Sequence, residues 1–330
     1  MVGVGQDTSV HYLQVIQDWL VQYWIENEPD PDYRIALSSL LNTLWPKTGK
    51  DARPSYFPLP CLCGHALGKF STSITHVNAA WVLLFVASYL LDKVEDEEVH
   101  HPIFSRYSPG VVTNLTTGLI LHSGRIIAEL EPGETSIQSL AEIRREFHRM
   151  ALEVCAGQHH DLTLKEPTFE QIWQMIDTKS GKFFAMGAYL GARVAGADDE
   201  KVTLFSEVGR RIGIINQINN DLSGMGSGEE TGSDLASGRR TLPIQYALKV
   251  LPPEKCAFLV KYLDNAPHNP SAEIDARRMI LSAGAMIYLS LESIKHQQQA
   301  ILLLEQLPTS PDSTAPLYKL INQNALHAKE

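Results

Sequence analysis

The sequence predicts an all-α protein, on three observations. Apolar residues recur at three- and four-residue spacing through much of the chain, alternating strand patterns are scarce, and clusters of proline and glycine fall between the periodic runs. The runs are His11 to Trp24, Thr75 to Leu91, Ile137 to Cys155, Phe169 to Val194 and Leu204 to Asp221. Between them, Asn27 to Asp32 carries two prolines, Glu131 to Glu134 holds Pro-Gly, and the Gly- and Ser-rich Gly224 to Gly238 predicts a mobile loop. Ala266 to Ser271 precedes two last helical stretches, Ala272 to Gln306 and a short tail. No internal repeat or linker interrupts this order, so the expectation is an N-terminal helical extension over 1–30 and one helical domain over 31–330.

Composition narrows the function. Of the 330 residues 44% are hydrophobic and 20% charged, as in globular proteins. The longest apolar candidate, Asn78 to Leu91, is too short for a bilayer and runs into acids, which predicts a buried helix and no membrane span. A net charge of -10 argues against nucleic acid, whose binders bring a basic surface to the phosphates. In an acidic chain, an anionic substrate requires locally gathered cations or a metal. Cys61, Cys63, Cys155 and Cys256 lack the spacing of a zinc site and are too few for a disulfide framework, so reduced, buried thiols are expected. The first residues form no export signal, which predicts a cytoplasmic protein.

The sharpest local feature is Asp92-Lys93-Val94-Glu95-Asp96-Glu97-Glu98, at the end of the apolar run. On a helix Asp92 and Asp96 share a face, and two carboxylates at that spacing suit Mg²⁺ together with substrate phosphates. A solvated acidic helix end would carry the same charges. Asp92, however, continues the face of Phe85, Ser88 and Tyr89, and acids at a helix C-terminus oppose the macrodipole unless a cation is present. A second polar group, Asn216-Gln217-Ile218-Asn219-Asn220-Asp221, interrupts another apolar helix and predicts a wet cavity or a ligand, or else a polar helix end. Gly157-Gln158-His159-His160-Asp161 adds an acid and an amide. Its adjacent histidines point about 100° apart, poorly placed for one zinc ion. Cations gather at Gly49-Lys50-Asp51-Ala52-Arg53-Pro54, at Lys179-Ser180-Gly181, read as the opening of a helix, and at Gly238-Arg239-Arg240-Thr241. Two candidate magnesium sites and three candidate anion sites together describe a diphosphate pocket.

In their order along the chain, these elements resemble the trans-isoprenyl diphosphate synthase, or polyprenyl synthetase, superfamily over roughly Gly49 to Leu248. Lys50 and Arg53 match a Gly-Lys-x-x-Arg-Pro element for the homoallylic diphosphate. Asp92 and Asp96 match the first aspartate-rich motif, Gln158 and Asp161 the Gly-Gln-x-x-Asp element, and Lys179 the lysine of Lys-Thr-Gly. The second aspartate-rich motif is reduced to Asn220-Asp221 after Gln217, with Gly224 where its last aspartate would stand. Asp234 and Gly238 to Pro243 resemble the closing Asp-x-x-x-Gly-Lys-x-Thr-x-Pro element. Val99-His100-His101-Pro102 replaces the arginine pair that normally follows the first motif, and Phe85 stands where a polar residue is usual. Leu91 to His101 with Gly157 to Asp161 looks most like the ComQ-type branch, which modifies a peptide tryptophan.

The resemblance implies an isoprenoid-synthase-type helical bundle around a deep central cavity, with both acidic motifs at its mouth. It implies Mg²⁺ held by Asp92, Asp96 and Asp221, with Asn220, Gln217 and Asp161 as further candidates. Lys50, Arg53, Lys179, Arg239 and Gln158 would bind diphosphate, and Phe85, Ser88, Tyr89, Phe183 and Tyr189 would line the cavity. The expected activity is ionisation of an allylic isoprenyl diphosphate and prenyl transfer to isopentenyl diphosphate or a peptide tryptophan, in a homodimer. Terpene synthesis and a non-catalytic regulatory subunit are the alternatives.

Overall fold

Short polar side chains set the helix starts in the computed structural model, which describes residues 7–47, 55–98, 101–132, 135–225 and 234–324. Asp7 accepts from the Ser9 N–H to open α1 (Thr8–Asn27), and Asp30 accepts from Tyr33 to open α2 (Pro31–Leu44). After α3 (Leu59–Ala66), Ser71 caps α4 (Thr72–Glu95) and Ser108 caps α5 (Pro109–Ala128). Next come α6 (Ile137–Thr163), α7 (Phe169–Ile176) behind a Thr168/Gln171 capping box, α8 (Lys182–Val194) and α9 (Asp199–Gly224). The chain continues through α10 (Leu242–Val250), α11 (Pro253–Asn265), α12 (Pro270–Ser282), α13 (Ala285–Glu305) and α14 (Pro311–Asn324). No strand occurs among the described residues, as the sequence predicts.

Three differences from the periodicity have physical causes. Pro31, Pro109, Pro253 and Pro270 start helices rather than merely ending them, because proline's fixed φ and missing N–H suit the first turn. The long run from Ala272 divides at Gly284, whose φ of 81° lies in the left-handed region that ends helices. Lys179-Ser180-Gly181 does not open a helix. It lies in a π turn, Asp177–Gly181, between α7 and α8, closed by the Lys182 N–H bonding to the Asp177 carbonyl five residues back. Residues 226–233, within the predicted Gly/Ser-rich loop, lie outside the described residues.

The described residues form two compact units. Among the described residues, the first draws on those within 7–151, Phe184–Gly209 and Ala300–Asn324, the second on those within Leu152–Phe183 and Arg210–Gln299. In the first, α4 packs against α1, α3 and α5 and is buried along Ala79 to Leu83. The Asn78 side chain joins it to the α3 entry, accepting from the Cys61 N–H at 2.9 Å and donating to the Phe57 carbonyl at 2.8 Å. By length and composition α4 could cross a membrane, yet 67% of its most apolar window is buried in the protein, as in a core helix. In the second unit, Met225, Leu235, Ile244, Leu259, Leu263 and Ile280 build one apolar cluster. Ile172, Met175, Ile176, Ile218 and Leu242 belong to another.

Candidate functional site

The end of α4 carries the first acidic centre. Asp96 is the C-cap, Glu97 takes a left-handed φ of 53°, and the Glu98 N–H bonds back to the Lys93 carbonyl at 3.1 Å. This is the Schellman pattern, built with glutamate where glycine is usual. It turns Glu98 back over the last turn, so that ligand oxygens of Asp92, Asp96 and Glu98 lie within 4.8 Å of one another. Oxygens around one Mg²⁺ stand at most about 4.2 Å apart, so small side-chain adjustments would close this set on an ion. Lys93 is a built-in counter-ion: its Nζ is 2.6 Å from Glu98 and 3.6 Å from Asp92. Glu98 was missed by motif spacing, and only the unexpected glutamate turn brings it in.

Upstream on α4, Phe85 and Ser88 are half-buried and Tyr89 is more exposed, its hydroxyl 3.0 Å from His101 Nε2. Phe85 joins an aromatic group with ring-centroid separations of 5.5 Å to Phe57, 5.6 Å to Trp81 and 5.9 Å to Phe184. Tyr189 lies instead beside Arg193, whose guanidinium is 5.8 Å from its ring. Lys50 and Arg53 lie outside the described residues.

The second unit holds a cavity of about 210 Å³ lined by Asp161, Lys179, Gln217, Asp221, Arg239 and Thr241, with Ile172, Met175 and Ile176 on its apolar side. Pockets for drug-sized ligands are roughly 300–1,000 Å³, so this one suits an anionic headgroup rather than a hydrocarbon chain. Three elements supply its polar wall. From α6, Asp161 accepts from Lys179 Nζ at 2.7 Å, and the same oxygen is 3.8 Å from Arg239. The π turn supplies Lys179 and Ser180, and its extra residue per turn changes the directions of both side chains relative to a regular helix. From α9, Gln217 accepts from Ser180 Oγ at 2.9 Å and donates to Asp221 at 2.8 Å, while the other Asp221 oxygen accepts from the Leu242 N–H at 3.1 Å. Arg240 Nη1 and Thr241 Oγ1 are buried and have no hydrogen-bond partner among the described residues, while Arg240 Nη2 donates to Asp264 at 2.7 Å. Gln158 is half-buried on α6.

Asp221 is only 5% exposed. Burial pushes its carboxyl up to about 7, helped by the charge of Asp234 and opposed by the Gln217 and Leu242 hydrogen bonds and by Arg239. Asn220, one position and about 100° further round the helix, is exposed. Glycines permit the close packing behind this wall. A Cβ at Gly213 would stand 2.3 Å from the Ser180 carbonyl oxygen, and one at Gly157 would stand 3.1 Å from the Lys179 nitrogen.

Helix-borne acids, gathered cations and an all-α frame narrow the choice of family, and residues 35–279 match the polyprenyl synthetase family model. The chain belongs to the polyprenyl synthetase family. Among relatives, tryptophan prenyltransferase ComQ of Bacillus spizizenii is 30% identical over 175 residues, 53% of this chain. The chain spans 59% of that relative's length. The short chain isoprenyl diphosphate synthase of Methanothermobacter thermautotrophicus is 26% identical over 79% of this chain and 82% of its own. In structure this polyprenyl synthetase family member is similar to the polyprenyl synthetase of Streptomyces coelicolor A3(2), with a TM-score of 0.79 and 17% identity over 96% of this chain and 98% of that one. Geranylgeranyl pyrophosphate synthase of Corynebacterium glutamicum, complexed with isoprenyl diphosphate and magnesium, aligns with a TM-score of 0.77 and 19% identity over 95% of this chain and 98% of that one. At these identities the structural likeness shows the shared fold.

Proposed function

We propose that this family member is a magnesium-dependent isoprenyl transferase that ionises an allylic isoprenyl diphosphate and passes the prenyl group to an external acceptor. The observation that carries the reading is the convergence of Lys179 and Arg239 on one Asp161 oxygen in a headgroup-sized cavity. Asp161 holds both cations in place, and a diphosphate, with more charge and more acceptor oxygens than one carboxylate, would draw them off it. Arg240, whose Nη2 is held by Asp264, has an Nη1 buried with no hydrogen-bond partner among the described residues, and it would gain one from the same anion.

Asp92, Asp96 and Glu98 fit magnesium in donor type and spacing and would hold it, and Asp221 in the second unit would offer a separate carboxylate to a metal there. When bound, magnesium neutralises the diphosphate and makes it a better leaving group. The allylic C–O bond then breaks with its electron pair on diphosphate, a carbon–carbon bond forms to the acceptor, and the acceptor loses a proton. Phe85, half-buried and packed on the buried rings of Phe57, Trp81 and Phe184, would offer the aromatic surface that excludes water and attracts a carbocation. Phe183 is buried in the second unit, and the active form is a homodimer.

Two acceptors are favoured by specific relatives: a peptide indole by ComQ, and isopentenyl diphosphate by the short chain synthase. The test is product analysis with geranyl, farnesyl or geranylgeranyl diphosphate and Mg²⁺, alone, with isopentenyl diphosphate, or with a tryptophan-containing peptide. Prenylated product only when an acceptor is present supports the reading and identifies the acceptor. A hydrocarbon product formed without acceptor makes the protein a terpene synthase, and no turnover with any acceptor makes it a binding subunit.

A further inference from the structure

The first unit carries a cavity of its own, in the cleft between α1 and α2, that prenyl transfer leaves unused. It measures about 600 Å³, within the range of small-ligand pockets. Val21, Trp24 and Ile25 line it from one face of α1, and Ile35, Ser38 and Ser39 line it from one face of α2. Val21, Ile25 and Ile35 are each more than half exposed, so three branched apolar side chains stand in water around one cleft.

The charged part of the lining is wholly basic. Arg34 and Arg106 both contribute to it, and no Asp or Glu does among the described residues. Each guanidinium is tied to the cleft wall by one weak bond, Arg34 Nη1 to the Glu28 carbonyl and Arg106 Nη1 to Thr43 Oγ1, both at 3.3 Å. That leaves most of their donors unused. Neither lies within 4.0 Å of a carboxylate among the described residues, whereas Arg193, Arg210 and Arg277 each pair with one. In a chain of net charge -10, two unpaired guanidiniums on one cleft favour an anion from outside. Trp24 adds an independent sign. It is 2% exposed, and its Nε1 is buried with no hydrogen-bond partner among the described residues, although buried indole N–H groups are normally paired.

We propose that this cleft binds a single-chain anionic amphiphile, a hydrocarbon tail ending in a phosphate. The tail covers Val21, Ile25 and Ile35, the phosphate oxygens accept from Arg34 and Arg106, and the Trp24 N–H is a further donor. Two guanidiniums suit a doubly charged phosphate better than a single carboxylate. A prenyl phosphate has this chemistry, and so does a single-chain lipid phosphate. The site belongs to the first unit and the Lys179 cavity to the second, so the proposal stands or falls without the transferase reading.

The probe is dodecyl phosphate, kept below its micelle concentration and titrated calorimetrically into full-length protein in chelator. It should bind saturably at one site, with dodecanol and inorganic phosphate each at least about tenfold weaker. Arg34→Met with Arg106→Met should weaken binding by about tenfold or more, as should Ile35→Asp at an exposed position, with unchanged thermal midpoints. Lys179→Met should leave the affinity unchanged. The Trp24 indole N–H resonance, identified by its loss in Trp24→Phe, should move as the probe saturates. Displacement by geranyl phosphate or by lysophosphatidic acid, whichever competes at the lower concentration, identifies the source of the ligand. No saturable binding, equal affinity for dodecanol, full affinity in the double arginine variant, an unmoved Trp24 resonance or displacement by neither competitor would overturn the proposal. So would loss of binding in Lys179→Met, which would put the probe in the second unit's cavity.

Discussion

With its carboxyl raised from the ordinary 3.8 to about 7, Asp221 keeps a proton in the folded chain that the unfolded chain loses between those values. The folded state binds more protons across that window, so the contribution of Asp221 to stability is full below about pH 4, declines as pH rises, and is lost above about pH 7. Chemical denaturation of metal-free protein at a series of pH values should show this decline in wild type and not in Asp221→Asn. Parallel curves for the two proteins would contradict it. Lys93 offers a second residue-scale prediction. It neutralises part of the Asp92, Asp96 and Glu98 centre, so Lys93→Met should tighten Mg²⁺ binding there by up to about fivefold, the worth of a partly exposed ion pair. Calorimetric titration reads this, and weaker binding would show that Lys93 arranges the acids rather than competing for them.

At the scale of elements, the π turn between α7 and α8 is held by the close approach of α9 through Gly213. Gly213→Ala would drive a methyl group into the Ser180 carbonyl and should cost about 1–3 kcal/mol of stability, with disturbance of the Ser180–Gln217–Asp221 chain. Gly110→Ala is the control. Nothing lies within 4 Å of a Cβ there, so denaturation should show no loss and at most a gain of about 1 kcal/mol. Equal effects of the two substitutions would argue against the tight packing. Periodicity made most long helices legible but not α5, because Gly110, Gly118 and Gly124 with threonines weaken both propensity and pattern. What forms α5 is tertiary: it packs along α4, and Ser123 Oγ donates to the Ala80 carbonyl at 2.6 Å. The π turn was equally illegible, since it depends on how closely α6 and α9 approach it through Gly157 and Gly213.

Over the whole molecule, the all-α class and the i, i+4 placement of Asp92 and Asp96 were readable because helical spacing alone determines which residues share a face. The meeting of Asp161, Lys179 and Arg239 was not, since residues 18 and 78 positions further along than Asp161 come together only through packing. Motif order named these residues without giving their geometry. Glu98 was hidden for a different reason: it is turned in by a non-glycine left-handed residue. The central claim is magnesium-assisted ionisation of an allylic diphosphate, and pyrophosphate release tests it most directly. Wild-type protein with an allylic prenyl diphosphate, isopentenyl diphosphate and a tryptophan-containing peptide should release pyrophosphate only when Mg²⁺ is present, and Asp92→Asn should slow that release by about a hundredfold or more. Release that persists in chelator, or at the wild-type rate in Asp92→Asn, would contradict the account.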